Sequence, residues 1–356
     1  MRKNIIFFAR SSLKKNQLLY NFHHFVKDVP LKEHNVNIIW YGDKKYSIIR
    51  RLKLLNAYLL LIKLVFKPDV ALFMDEKSSL GLAPKARKIL KTKTVNFSHA
   101  LVSYHSFYKE IDFDYYFVYG GKCESADKRF GVNFNKTEVV PIGPFYSASR
   151  LLLRGVNTED SLKIFLASQR DYFFRVCITS QWLSSSASEK ELYKQYKEIA
   201  DYIKSSPDII FYVKPHPLEK DDGSPIIDCY KLNNVVALSK ESSVGDLFGI
   251  IDVNVTSYSN SALDFALLGV PTVFISSASD LSIKYGIAPS GYSLFANDVG
   301  ELDKIIRGKE SSKLNAKDIL RHNADGVGFE SIENFRREIN KILFPEVPCK
   351  GGSLYQ

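Results

Sequence analysis

Short runs of β-branched and aromatic residues alternate with longer stretches in which apolar positions recur every three to four residues, from one end of the chain to the other. That alternation predicts parallel strands joined by crossover helices. Strands are expected at Asn4–Phe8, Val36–Tyr41, Asp69–Met74, Thr94–Phe97, Tyr115–Tyr119 and Glu138–Pro141. A second set is expected at Lys163–Leu166, Arg175–Thr179, Ile209–Val213, Val235–Leu238, Val253–Thr256 and Thr272–Ile275. Helical patterns fill the gaps, among them Ser188–Ser205, Ser261–Leu268 and a last one from about Glu330 to Leu343, ahead of Pro345. Two similar α/β halves follow, residues 1–150 and 151–330, with 331–356 a helix and tail expected to pack back toward the first half. The join is expected in Gly143–Ser161, where a Gly-Pro step, Arg150, Arg154 and the polar Asn157-Thr158-Glu159-Asp160-Ser161 interrupt the pattern.

The length of 356 residues suits two domains, each able to bury a sizeable core. With 49 Lys and Arg against 39 Asp and Glu the net charge is +10, which favours anionic partners: phosphorylated small molecules, an acidic lipid surface or nucleic acid. Nucleic acid is not expected, because the basic residues are scattered and no aromatic-basic module is present. Cys123, Cys177, Cys229 and Cys349 are far apart, so neither a zinc site nor a disulfide framework is indicated. The apolar run Ile5–Ala9 is too short for a signal-peptide core, and a reducing, cytoplasmic location is expected. The stretch Ile49–Pro68, broken by Lys63, falls short of the about 20 residues that span a bilayer. It reads either as a packing helix or, with Arg50, Arg51, Lys53, Lys63 and Lys67, as a helix lying on an anionic membrane surface.

Candidate chemistry is densest in the second half. The run Ile209–Val213 ends in Lys214-Pro215-His216-Pro217, where two prolines fix the backbone on either side of His216 at the carboxyl end of a strand. Ligands of open parallel sheets bind at those ends, so a cation and an imidazole are presented to a cleft; a rigid turn with a solvated histidine is the plainer alternative. Further on, the strand Val253–Thr256 runs into Ser257-Tyr258-Ser259-Asn260-Ser261 and a helix. Ser257, Ser259, Asn260 and Ser261 at a helix start predict an anion cradle of unpaired amides, with N-capping by one serine as the alternative. Thr179, Ser180 and Gln181, after Arg175–Ile178, would face the same cleft. Asp112-Phe113-Asp114 spells a metal-binding D-x-D pattern, but it precedes a strand rather than following one, so it reads as structural and no metal is expected.

A His-Pro step after a strand, followed by a serine-rich strand-to-helix loop, resembles the nucleotide-binding half of bacterial GT-B glycosyltransferases of surface-polysaccharide biosynthesis. These are the sialyl- and polysialyltransferases, Kdo transferases and teichoic-acid glycerophosphotransferases. The resemblance implies two Rossmann-like domains facing a cleft, an acceptor-binding one in 1–150 and a donor-binding one in 151–330. In such sialyltransferases the two motifs hold the CMP of the donor, which carries over to His216, Pro217, Ser259 and Ser261. The first half is similar more loosely: Val95-Asn96-Phe97-Ser98-His99-Ala100 stands where glycerophosphotransferases have a strand ending in His-Gly, Ala100 replacing the glycine. His99 is thereby implied as the base. Asp75-Glu76 corresponds to an acidic pair of the sialyltransferases but is followed by Lys77 instead of glycine, and His105 is a third candidate.

The implied activity is metal-independent, inverting transfer of a sugar to a hydroxyl of a glycan or glycolipid, with CMP-sialic acid or CMP-Kdo as first choice. No cofactor is implied beyond that cytidine-based co-substrate. Transfer of a polyol phosphate from a CDP-linked donor, an isomerase of the UDP-sugar 2-epimerase type, and a non-catalytic binding protein remain as alternatives.

Overall fold

The computed structural model describes residues 2–10, 17–41, 54–74, 81–98, 110–122, 131–153, 158–180, 189–216, 225–257, 259–275, 295–308 and 316–345. Two six-stranded sheets organise it. The first holds β1 (Asn4–Arg10), β2 (Asn35–Tyr41), β3 (Val70–Phe73), β4 (Lys93–Phe97), β5 (Tyr115–Val118) and β6 (Glu138–Pro141), in the order β2-β1-β3-β4-β5-β6. The second holds β7 (Phe174–Thr179), β8 (Ile209–Lys214), β9 (Val235–Ala237), β10 (Val253–Thr256), β11 (Thr272–Ile275) and β12 (Phe295–Ala296), in the order β12-β11-β10-β7-β8-β9. All these pairings are parallel. Every residue of β3, β8, β10 and β11 is buried, which is why these strands are largely apolar, apart from Asn254 and the terminal Lys214, rather than alternating.

In each sheet the strand order turns back at the first strand of that half, at β1 and at β7. Such a reversal opens a crevice at the carboxyl ends of the strands.

The helices are α1 (Gln17–Asp28), α2 (Leu55–Phe66), α3 (Leu82–Leu90), α4 (Phe145–Leu152), α5 (Thr158–Ser168), α6 (Glu189–Ser205), α7 (Ser261–Leu267), α8 (Val299–Arg307), α9 (Ala316–Ala324) and α10 (Ser331–Leu343). One face of the first sheet, with Ile6, Phe8, Ala71 and Phe73, packs under Leu55, Leu59 and Ile62 of α2 and Leu82, Ala83 and Ala86 of α3. The other face, with Ile5, Phe7, Val95 and Phe97, packs under Phe22 of α1 and Phe335 of α10.

Two passages join the halves. On the outward one, α4 sets Phe145 flat on Phe335 with ring centroids 3.9 Å apart, while its Leu151 joins the core of the second half. The return passage runs between α9 and α10, where Gly121 N–H donates to Asp325 Oδ2 at 2.8 Å. Gly143, at φ +91°, lies so close to it that a Cβ there would stand 2.4 Å from Val327 Cγ1.

One expectation needs correcting. Lys163–Leu166 is not a strand but the middle of α5. Its apolar residues point two ways, Ile164 buried and Leu162, Phe165 and Leu166 exposed, and Asp160 in its first turn accepts from Ser239 N at 2.7 Å. Within the expected join, residues 145–152 form α4, with Arg150 turned into the protein. Asp112 and Asp114 are engaged structurally, Asp112 with Arg87 at 2.6 Å and Asp114 as acceptor from the amide and hydroxyl of Thr94, both at 2.8 Å.

Candidate functional site

The ends of β8, β7 and β10 lie side by side at the crevice of the second sheet, because β7 pairs with both of its neighbours. From β8 to β10 is two strand spacings, about 10 Å, comparable with the span of a diphosphate and its substituents. The Lys-Pro-His turn and the serine loop therefore flank one strand, and hydrogen bonds link them across it. Ser180 N donates to Lys214 O at 3.1 Å, and His216 N donates to Ser180 Oγ at 3.1 Å. Thr179 Oγ1 donates to Asn254 Oδ1 at 3.1 Å. With its single proton so placed, Thr179 must accept in its 2.7 Å contact with Ser261 Oγ.

The serine loop differs from its expected form. Ser257 is buried and donates to Gln195 Oε1 at 2.6 Å, so it braces α6 against β10. Ser261 N donates to Ser259 Oγ at 3.2 Å, and Ala262 N and Leu263 N reach the carbonyls of Ser259 and Asn260. The start of α7 is thus a tight, internally satisfied turn rather than a cradle of unpaired amides. Of the four predicted residues, Ser259, Asn260 and Ser261 keep some exposure.

Positive charge comes instead from Lys214. It is 8% exposed, and its ammonium donates to the carbonyls of Pro215 at 3.0 Å and Lys240 at 2.9 Å. Neither acceptor is charged, and no carboxylate lies in ion-pair range of it among the described residues. Burial first, and Arg150 second, bring its pKa down to about 8. Burial, then Lys214 and Arg150, push His216 down to about 4, so its imidazole is neutral at cellular pH. His216 can exchange hydrogen bonds with a ligand but brings no charge of its own.

Arg150 and Asp264 are residues that pattern reading missed. Arg150 reaches from α4 to Asp264 of α7, Nη2 to Oδ2 at 2.7 Å, with its guanidinium 5.1 Å from the Tyr146 ring centroid. Burial, the largest single influence, opposes its charge, but Asp264, Tyr146 and Tyr119 together outweigh it and hold Arg150 firmly protonated. Its Nε is buried, with no hydrogen-bond partner among the described residues. Arg150 sits in the expected join and Asp264 reads as an ordinary helix residue, so only their separation of 114 positions in sequence hid the pair. In the first half, Asn96 on β4 is fully buried beside Phe73 and Tyr116 of the neighbouring strands, and neither of its amide atoms has a partner among the described residues. Asp75, Glu76, His99, His105, Gln181 and Pro217 lie outside the described residues.

Two Rossmann-like domains, each with a crevice at the switch point of its sheet, define a GT-B fold. Residues 184–283, under a third of the chain, match the CDP-glycerol:poly(glycerophosphate) glycerophosphotransferase family. That segment contains α6, β8, the His216 turn, β10 and the serine loop. Solved structures share the whole architecture at low identity. One is the wall teichoic acid polymerase TagF, in a variant soaked with CDPG (13% identity, TM-score 0.58, covering 96% of this chain and 89% of that one). Another is S. aureus MnaA with UDP (11%, TM-score 0.61, covering 97% and 96%). A third is the UDP-GlcNAc 2-epimerase of Neisseria meningitidis bound to UDP-GlcNAc (13%, TM-score 0.58, covering 96% and 100%). No curated protein matches the chain in sequence.

Proposed function

We propose that the chain is a GT-B transferase that takes a cytidine diphosphate-linked polyol as donor and moves the polyol phosphate onto a hydroxyl of a growing surface polymer. The observation that carries this reading is Lys214, a buried ammonium at the end of β8 whose partners among the described residues are carbonyls. A buried charge without a counter-charge is costly, and a phosphate in the crevice would supply one. The family match over 184–283 favours a polyol phosphate over the sialic acid or Kdo expected from the sequence, for which nothing in the comparisons speaks. Fold similarity does not choose between transferase and isomerase, since TagF and the epimerase superpose equally well; the family match favours transfer.

In the reaction an acceptor hydroxyl oxygen attacks the donor's β-phosphorus. An oxygen–phosphorus bond forms as the bond from that phosphorus to the bridging oxygen of CMP breaks, and the hydroxyl proton passes to a base, for which His99 is the proposed group. Negative charge collects on the departing CMP phosphate, facing Lys214. Neutral His216 donates a hydrogen bond to a phosphate oxygen, and the Thr179–Ser261 pair holds the loop on the other side. The first half receives the acceptor.

Mass spectrometry of the products tests the reading. With CDP-glycerol and a polyol-phosphate acceptor, the acceptor should gain one glycerol phosphate and CMP should appear. Gain of a phosphorus-free sugar from CMP-sialic acid or CMP-Kdo would replace the donor, and conversion of UDP-GlcNAc alone, without an acceptor, would make the protein an isomerase.

A further inference from the structure

The proposed reaction leaves Asp160 of α5 without a task, yet this carboxylate is 2% exposed and crowded with donors. Its Oδ2 accepts from Ser239 N at 2.7 Å and from Ser242 Oγ, and the Lys163 ammonium stands 3.6 Å from Oδ1. Those two acceptor bonds hold both ends of a turn at 239–242, which follows β9 and is closed by Ser242 N donating to Ser239 O at 3.3 Å. Just before the turn, Leu238 N donates to Val213 O of β8 at 3.0 Å, so the turn stands beside the end of β8. Within it lies Lys240, whose carbonyl accepts from the Lys214 ammonium at 2.9 Å. A buried carboxylate on α5 thus reaches the ammonium through one turn of backbone.

A lysine stem is flexible, so the place of its ammonium is set by what accepts from it. Of the two carbonyls on Lys214, that of Pro215 belongs to its own strand end and that of Lys240 is held from α5. The charges facing Lys214 come from several elements: Arg150 of α4 opposes its proton, while Asp160 of α5 and Asp264 of α7 favour it. Burial raises the Cys177 thiol on β7 and lowers His216, so both are neutral where Lys214 titrates. Asp264 is engaged by Arg150 at 2.7 Å, and Lys163 beside Asp160 is shared with Glu159 at 2.7 Å. Burial opposes the charge of Asp160, but the bonds from Ser242 and Ser239, with Lys163 alongside, outweigh it and hold the carboxyl below its usual range.

We propose that Asp160 is a positioning residue for the transfer: by pinning the turn at 239–242 it fixes the Lys240 carbonyl, and through that carbonyl the place of the Lys214 ammonium at the end of β8. The role rests on the reading of Lys214 as the group that meets the donor's phosphates. Asp160 acts through the turn rather than on a ligand, and its charge, close behind the same turn, favours the protonated form of Lys214. Losing the carboxylate therefore has two effects. The carbonyl comes loose at every pH, and the ammonium gives up its proton at lower pH.

Calorimetric titration of the full chain with CDP-glycerol between pH 6.5 and pH 9 tests this, on the wild type, Asp160→Asn, Ser242→Ala and Lys214→Met. Wild-type affinity should fall about tenfold from pH 7 to pH 9 as Lys214 loses its proton, and Lys214→Met should bind weakly throughout, without that fall. Asp160→Asn should bind more weakly than the wild type at pH 6.5, and its deficit should be about threefold or more larger at pH 9. Ser242→Ala removes one bond to the turn but keeps the charge, so its deficit, about threefold or more, should be the same at both ends of the range. A deficit of Asp160→Asn that is absent, or equal at pH 6.5 and pH 9, overturns the proposal. So does wild-type binding by Ser242→Ala, which decides the matter where Asp160→Asn fails to fold. A wild type whose affinity does not fall with pH, or a Lys214→Met that still shows the fall, overturns the reading of Lys214 itself and this role with it.

Discussion

At Lys214 an ammonium is kept largely protonated at neutral pH although burial works against its charge. The same burial, with Lys214 and Arg150 alongside, leaves His216 uncharged. Because the folded pKa of His216, about 4, lies below the ordinary 6.5, the unfolded chain binds more protons between those values. This group's contribution to stability is therefore complete above pH 6.5 and declines as pH falls toward 4. Melting curves across that window should show the wild type losing stability relative to His216→Gln; parallel curves would contradict the assignment. Asn96 gives a second residue-scale test. Its amide is buried with no partner among the described residues, so Asn96→Leu should raise stability by about 1–3 kcal/mol in denaturant unfolding. A loss of stability would show that the amide is satisfied in solution. Lys-Pro-His-Pro was legible in the sequence because proline and an apolar run announce a strand end. Arg150–Asp264 was not, because an ion pair between distant residues leaves no local pattern.

At the scale of elements, α4 and α7 are tied by that ion pair, and α7 in turn is tied to β7 through Ser261 and Thr179. Removing one partner leaves a buried charge, so Asp264→Asn or Arg150→Met alone should cost about 3 kcal/mol, whereas Arg150→Met with Asp264→Leu should cost much less. Additive losses in that double-mutant cycle would show that the two residues act independently. Close passages of backbone repeat the same coupling: a Cβ at Gly245 would stand 2.3 Å from Leu151 O. Eleven of the twelve expected strands were legible, since buried parallel strands are continuous apolar runs of characteristic length. The twelfth, Lys163–Leu166, failed because two of its three apolar residues face solvent, so the run mimicked a buried strand while forming an exposed helix. The two-residue β12 carried too little pattern to be seen.

Across the whole molecule, the repeated α/β rhythm made two doubly wound sheets readable, and the position of both motifs after strands placed them at one crevice. Which strands are neighbours was not readable, and that is what brings β8, β7 and β10 together. The serine loop shows the limit of motif reading: its composition suggested free amides, while its geometry satisfies them and hands the charge to Lys214. The most direct test is a thermal-shift panel of CMP, CDP, CDP-glycerol, UDP, GDP and ADP on the wild type and on Lys214→Met. Cytidine nucleotides should stabilise the wild type, by about 2.7 kcal/mol at 100 times the dissociation constant. Lys214→Met should retain the ligand-free melting temperature or raise it, while losing that shift. A shift that survives the substitution, or one given only by a uridine, guanosine or adenosine nucleotide, would contradict the account.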